Sequence, residues 1–410
     1  MATRRWRGDA KNVAQVNTIT PANVAAGNTF TVTINGKDIT FTATAATVAN
    51  VTAGLVALLN ASLTPEFAEI TYTDSTTHVT GTADSPGKPF TQTSSAAGGT
   101  ATNTTATPTA NQSQNDVNNA DNWDSAVPTT GDDVFIQDTD VSLLYNLSAL
   151  AAETLASLTI DKSFTGEIGL PRFTSTGYYE YRPTYWQMPS TLVTIGRGEG
   201  DGSARIKLDG GSVQTAVTIY DTGAAAEDDD YAVRWKGTHA SNVVNVVKGD
   251  VGVAMDAGET AVIATLRMAH RGNPTEDARV HCGTGVTLTD IDKSGGELVT
   301  NSAFATMDTT AGTHTHLAGA ITTYQNDGAE FLHRSTGTIT TYRGGNEAIL
   351  NRRQELRAGI ITNCELYRGA SLLDPFKTLT FTNGLDLVRC AIADVTLDLG
   401  EHLTVTPSAV

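Results

Sequence analysis

Apolar residues alternate with threonine along 27–41 (GNTFTVTINGKDITF). Side chains on a strand point to opposite sides in turn, so Phe30, Val32 and Ile34 share one face, and Ile39 and Phe41 share one face of the next strand. Asn35-Gly36 separates them, and both residue types tolerate the positive φ of a two-residue hairpin turn. The pattern predicts a β-hairpin. The period then lengthens: Val48, Val51, Leu55, Leu58 and Leu59 recur at helical spacing within 45–62, with Thr47 placed to cap the helix. Three short strands are predicted after it, over 67–73, 78–83 and 89–93. His78 lies alone in a threonine-rich strand and reads as a surface residue. One helix over one sheet face makes a small α+β domain at 15–95.

Residues 96–121 are poor in apolar side chains and rich in Thr, Asn, Gly and Ala. They read as a flexible or extended linker. From Val134 onward, short apolar strands alternate with Gly, Asp and Asn turns, as in LASLTID (155–161), STLVTIG (190–196), SARIKLD (203–209), VQTAVTIYD (213–221), YAVRWKG (231–237), AVIATLRMAH (261–270) and GVTLTDID (285–292). GAITTY (319–324) returns 18 residues later as GTITTY (337–342), and GIITNC (359–364) and KTLTFT (377–382) look like further copies. GAEFL (328–332), NEAIL (346–350) and GASLL (369–373) fall between them as a second strand per repeat. Repeats of this length cannot bury their own inward side chains and must stack. The expected fold is mainly β: a right-handed parallel β-helix over 122–405, with the α+β domain inserted near the N-terminus and a tail at 406–410. Segment 397–405 is placed to close the final coil. A β-sandwich array is the alternative.

Acidic side chains number 44 and basic ones 27, a net charge of −17. A general nucleic-acid binder needs a basic face, so nucleic acid is not expected as a partner. Arg352, Arg353 and Arg357 are an example of where a local basic patch could lie. Cys282, Cys364 and Cys390 are far apart and odd in number, so isolated buried thiols are expected rather than a disulfide framework or zinc site. The start, 1–9, is basic and polar with no apolar segment behind it, and no stretch approaches a membrane span. Neither export nor membrane insertion is expected.

Candidate chemistry is sparse. Tyr178, Tyr179, Tyr181, Tyr185 and Trp186 crowd into STGYYEYRPTYWQMPS, between Pro183, Pro189 and poor strand alternation. Aromatic faces stack on sugars and anchor protein interfaces, so this reads as a protruding loop that binds a partner, binds glycan, or merely packs. The acidic run 227–230 lacks the spaced ligands and glycine of a calcium loop and reads as a solvated turn. His314 and His316 share one face of a strand and are weak metal candidates, with His333 one coil away and a surface position or trimer axis as their expected place. Asp290, Asp292 and Asp308 are available as carboxylates for glycoside hydrolysis, but no local motif separates them from turn aspartates. No nucleophile elbow, phosphate loop or dinucleotide fingerprint occurs. Neither an enzyme nor a cofactor is expected.

Trp6-Arg7-Gly8-Asp9, Asn122-Trp123, Val127-Pro128 and Gly131-Asp132 resemble the entry cap of right-handed β-helix proteins, split in two by the α+β domain. That resemblance makes Trp6, Asp9, Trp123 and Pro128 structural cap residues, with 1–14 the first half of the cap. It also makes Arg7-Gly8-Asp9 a turn rather than an adhesion tripeptide. VNTITPANVAAGNTFTVTINGKDITFTATAATVANVTAGLVALLNAS (16–62) is similar to modules of tailed-bacteriophage and prophage structural proteins. The resemblance implies a non-catalytic virion protein, assembled in the host cytoplasm and commonly trimeric. Its expected role is capsid decoration (cement) bound to the major capsid protein. The alternatives are a tail fibre or spike on host glycan and a secreted polysaccharide-active enzyme.

Overall fold

The computed structural model describes residues 2–170, 182–223, 231–269 and 278–400. Two long sheets dominate it, one of 14 strands and one of 12, and every pairing within them is parallel. The chain alternates between the two. Val286–Lys293, Phe304–Thr309, Ile321–Asn326 and Thr338–Gly344 are successive neighbours in the first sheet; Glu297–Thr300, Thr313–His316, Glu330–His333 and Ile349–Asn351 follow one another in the second. This arrangement is compatible with a β-solenoid.

Register turns the sequence repeats into columns. Ile321 faces Ile339 and Tyr324 faces Tyr342, so the two TTY repeats lie directly on one another. Cys364 continues the second column. In the other sheet Leu298, His314, Phe331, Leu350 and Leu372 form one inward column. These side chains belong to a single buried cluster that runs from Trp6 to Leu372, its hydrophobic members fully shielded in rung after rung. Burial of that order is the main stabilising contribution to such a stack. Leu379, Phe381, Leu385 and Leu387, in the last rung described, are only partly buried against it.

Glycine sets the rung-to-rung approach at one corner: a Cβ on Gly337 would collide with the carbonyl oxygen of Gly319 in the rung before. On the outside of the first sheet, Arg267, Asp292, Asp308, Gln325, Arg343, Glu365 and Asp386 occupy one column, one residue per rung.

Residues 16–109 form two small antiparallel sheets and a helix around a separate apolar cluster. The hairpin pairs Thr29–Ile34 with Lys37–Thr42, and Asn35 and Gly36 both take positive φ (46° and 74°), as the turn requires. The helix spans Val48–Asn60, capped by the Thr47 hydroxyl, which accepts from the Asn50 amide. It buries Val51, Thr52, Leu55 and Leu59, whereas Leu58 is 43% exposed. Phe67 lies in a one-turn helix, Pro65–Ala68, because proline suits the first helical turn; the strand begins only at Ile70. His78 is half-buried.

The segment expected to be a linker is ordered. Gln92–Ala97 pairs with Thr29–Ile34, and Thr102–Thr109 pairs antiparallel with Val16–Ala22. A strand needs main-chain partners more than apolar side chains, and threonine suits a pleated surface. Hydroxyls add to the pairing: Thr105 donates to Ser94 (2.8 Å) and Ser94 to the Asn103 carbonyl (3.1 Å). Pro108 is tolerated because this strand lies at the sheet edge. Among the described residues no helix is long and apolar enough to cross a membrane.

Candidate functional site

Trp6 and Trp123 meet edge to face with ring centroids 5.1 Å apart, and their backbones form an antiparallel bridge. Both rings are buried. Their indole N–H groups donate to the carbonyls of Val141 (2.8 Å) and Val117 (3.0 Å). Thr3–Arg5 then pairs parallel with Asp133–Ile136, so the chain's first strand is a rung of the long sheet although residues 16–109 intervene. Pro128 is buried beside this junction and Asp9 is exposed. Arg7 and Gly8 donate their amides to the Asn122 carbonyl, so the Arg-Gly-Asp tripeptide is tied to the second half of the junction.

Two residues of the cap motifs, each beside a residue given a structural role, hold this junction. Asn122, fully buried, accepts from the Ala10 amide (2.9 Å) and donates to the carbonyls of Ser113 (2.7 Å) and Asp116 (2.9 Å). Asp132 accepts from the Ala2 amide (3.0 Å) and the Arg4 guanidinium (2.9 Å).

The aromatic run divides. Tyr178, Tyr179 and Tyr181 lie outside the described residues. Trp186 is not on a protruding loop: it opens a two-residue strand, pairs with Leu208 and is fully buried in the main cluster. Tyr185 is 3% exposed. Its hydroxyl donates to Glu259 (3.1 Å), and the Lys236 ammonium lies 4.3 Å from its ring centroid. Burial, reinforced by the Glu259 charge, pushes the Tyr185 phenol well above its usual range. Neither ring is presented to a partner; the flanking prolines permit a short inward strand between them. Just before it, Arg182 binds the Glu69 carboxylate (2.6 Å) and the Pro89 carbonyl (3.0 Å) and lies over the Tyr145 ring (5.8 Å). Lys88 also pairs with Glu69. Arg182 thereby fastens residues 69–90 to the stack.

His314 and His316 are inside the stack, not on its surface, and so is His333; all three are fully buried. The register leaves no choice, because His314 stands between Leu298 and Phe331, and His316 between Thr300 and His333. Four hydrogen bonds define the ring tautomers. His316 Nε2 faces the Gly319 carbonyl (3.0 Å), which only accepts, so Nε2 carries the proton. A neutral His316 then accepts through Nδ1 from the Thr300 hydroxyl (2.9 Å). That hydroxyl, having donated, accepts from His314 Nε2 (2.9 Å). His314 Nδ1 accepts in turn from the Tyr324 hydroxyl (3.0 Å). With both rings neutral the chain runs in one direction and every hydroxyl proton in it has an acceptor. The point both rings share is the Thr300 hydroxyl oxygen, and no cluster of His, Cys, Asp or Glu able to hold a metal exists among the described residues.

The remaining candidates scatter. Arg352 is buried; it donates to the carbonyls of His333 and Ser335 (both 3.2 Å) and Arg357, and to the Thr378 hydroxyl (2.9 Å). Arg353 pairs with Asp398 (3.2 Å) and Arg357 with Glu355 (2.8 Å), so the three arginines do not form a patch. Asp292 and Asp308 are neighbours in register, but Asp292 pairs with Arg267 (3.4 Å) and Asp290 accepts from Thr306. Cys282 and Cys364 are buried and Cys390 is half-buried. No protein-family model, curated protein or solved structure matches the chain.

Proposed function

We propose that the chain is a non-catalytic virion structural protein of a tailed bacteriophage or prophage, serving as a capsid decoration protein. In this reading the two long sheets close as a right-handed β-helix. The unit around residues 15–95 is a domain inserted into the N-terminal cap and grips the shell. The observation that carries it is the junction: Thr3–Arg5 and Asp133–Ile136 are adjacent rungs, and Trp6 meets Trp123, across everything between them. Such an insertion adds a gripping module without breaking the stack. The resemblance of 16–62 to phage structural modules supplies the particle. Homotrimers with heterologous contacts around a ring suit this shape.

The tail-fibre reading now rests on Tyr178, Tyr179 and Tyr181, since Tyr185 and Trp186 face inward. Cryo-electron microscopy of purified particles tests both readings. Density over capsid threefold positions supports decoration, and density confined to the tail tip favours the fibre. Absence of the chain from the particles, or turnover of a polysaccharide by the purified protein, overturns the proposal.

A further inference from the structure

We infer that His314, His316 and His333 act as an acid-sensitive latch: the rungs that carry them stay closed only while all three rings are neutral, and protonation opens this part of the stack.

The hydrogen-bond chain argues this first. It has one donor and one acceptor at each link, running from Tyr324 through His314 and Thr300 to His316 and the Gly319 carbonyl. A proton added to His316 goes on Nδ1, the nitrogen that accepts from Thr300, so the Thr300 hydroxyl loses its acceptor, or, if the chain reverses through His314, the Tyr324 hydroxyl does. A proton added to His314 goes on Nδ1 and sets an N–H against the Tyr324 hydroxyl hydrogen. Tyr324 is itself fully buried, so its hydroxyl has no water to turn to. His333 offers no better place: neither of its ring nitrogens has a hydrogen-bond partner.

The surroundings argue it again. The rings of His314 and His316 are 6.0 Å apart, and those of His316 and His333 stack at 5.9 Å. Charging two of them puts like charges together in a dry interior. Phe304 and Phe331 pack against the rings and supply no counter-charge. The charged groups that act on the cluster are Lys293 on His314, and Arg352 and Glu355 on His333. Two of these three are cations. Burial, helped by these positive neighbours, holds His314 and His333 well below the ordinary 6.5. Burial lowers His316 to about 4, against the opposing bond to Gly319.

The sign follows from proton linkage. A histidine whose folded pKa is depressed stabilises the fold fully above its unfolded value, and that stability falls as pH drops below it. The window opens near 6.5 and extends to about 4 for His316; for His314 and His333 it extends well below 6.5. Within it each ring raises the opening equilibrium about tenfold per pH unit, so three rings together raise it about 1000-fold.

Hydrogen exchange of the full chain between pH 7.5 and 4.5, corrected for the intrinsic pH dependence of exchange, measures that slope. The amides of Glu297–Thr300, Thr313–His316 and Glu330–His333 are the reporters. The expected result is opening that steepens below pH 6.5 with an uptake approaching three protons. A flat profile across the window overturns the inference. His333→Phe keeps a ring in place and removes no hydrogen bond made by the His333 ring; it should reduce the slope to about 100-fold per unit. An unchanged slope sinks the role of His333. A variant-free check is the imidazole carbon NMR shift of the wild-type protein. The three rings should remain neutral at pH 5.5 in the folded state, and a ring that protonates at or above 6.5 while the stack is closed overturns the latch.

Discussion

Arg4 and Asp132 are 128 residues apart in the chain, and their side chains meet at 2.9 Å. Burial alone would raise the Asp132 carboxyl; the bonds from Arg4, Ala2 and Thr129 outweigh it and hold the pKa at about 2, below the ordinary 3.8. A depressed carboxyl contributes stability that is complete above its unfolded pKa and lost as pH falls toward the folded one. Asp132 should therefore contribute ~2 kcal/mol that disappears between pH 4 and 2. Acid titration followed by tryptophan fluorescence should show a step in that window, and Asp132→Asn should remove it.

Trp123→Ala should destabilise the protein by ~3–5 kcal/mol, because it empties a buried site and strips the face of Trp6. Thermal unfolding measures the loss. Limited proteolysis should release the N-terminal strand before the rest of the stack is cut.

At Gly337 a methyl group meets the Gly319 carbonyl of the rung below. Gly337→Ala should cost ~1–3 kcal/mol through displaced backbone, while Thr336→Ala, at the exposed neighbouring position, should be nearly silent. Equal midpoints in denaturant for the two variants would contradict the corner geometry.

Arg352 is a buried cation whose bonds are mostly to carbonyls. Arg352→Met should cost ~3 kcal/mol or more, since it leaves those acceptors without their donor and removes a positive charge that acts on Asp374 and Glu355. Chemical denaturation should report the loss. Arg353→Met, at the surface, should change stability by less than ~1 kcal/mol.

Burial pushes the thiols of Cys282 and Cys364 up to about 12, so neither should react with an aromatic disulfide reagent in the native protein at pH 8. At most one thiol, Cys390, should label before denaturant is added, and three after. Rapid native labelling of two or more would contradict the burial of Cys282 and Cys364.

The alternating hairpin, the Thr47-capped helix and the coarse rungs were legible because period and turn chemistry are local. The ITTY repeats placed Tyr324 over Tyr342 correctly because identical neighbours in a stack align in register. The histidines were misplaced by turning the shared face of THTH outward. Aligning it with EFLH, the second strand between the two TTY repeats, puts His314 on Phe331 and His316 on His333, inside. Nothing in TNTTATPT reveals order, because its strand is held by the main chain of Val16–Ala22 rather than by apolar side chains.

The exterior column from Arg267 to Asp386 also makes the molecule a measuring rod. Parallel pairing fixes each graduation at ~4.8 Å, whatever side chain marks it. A duplicated or deleted rung would change the length by one graduation and leave every remaining contact of the same kind. The reach of such a protein can therefore be adjusted in discrete steps, and the markings along its side can be rewritten one at a time without disturbing the scale.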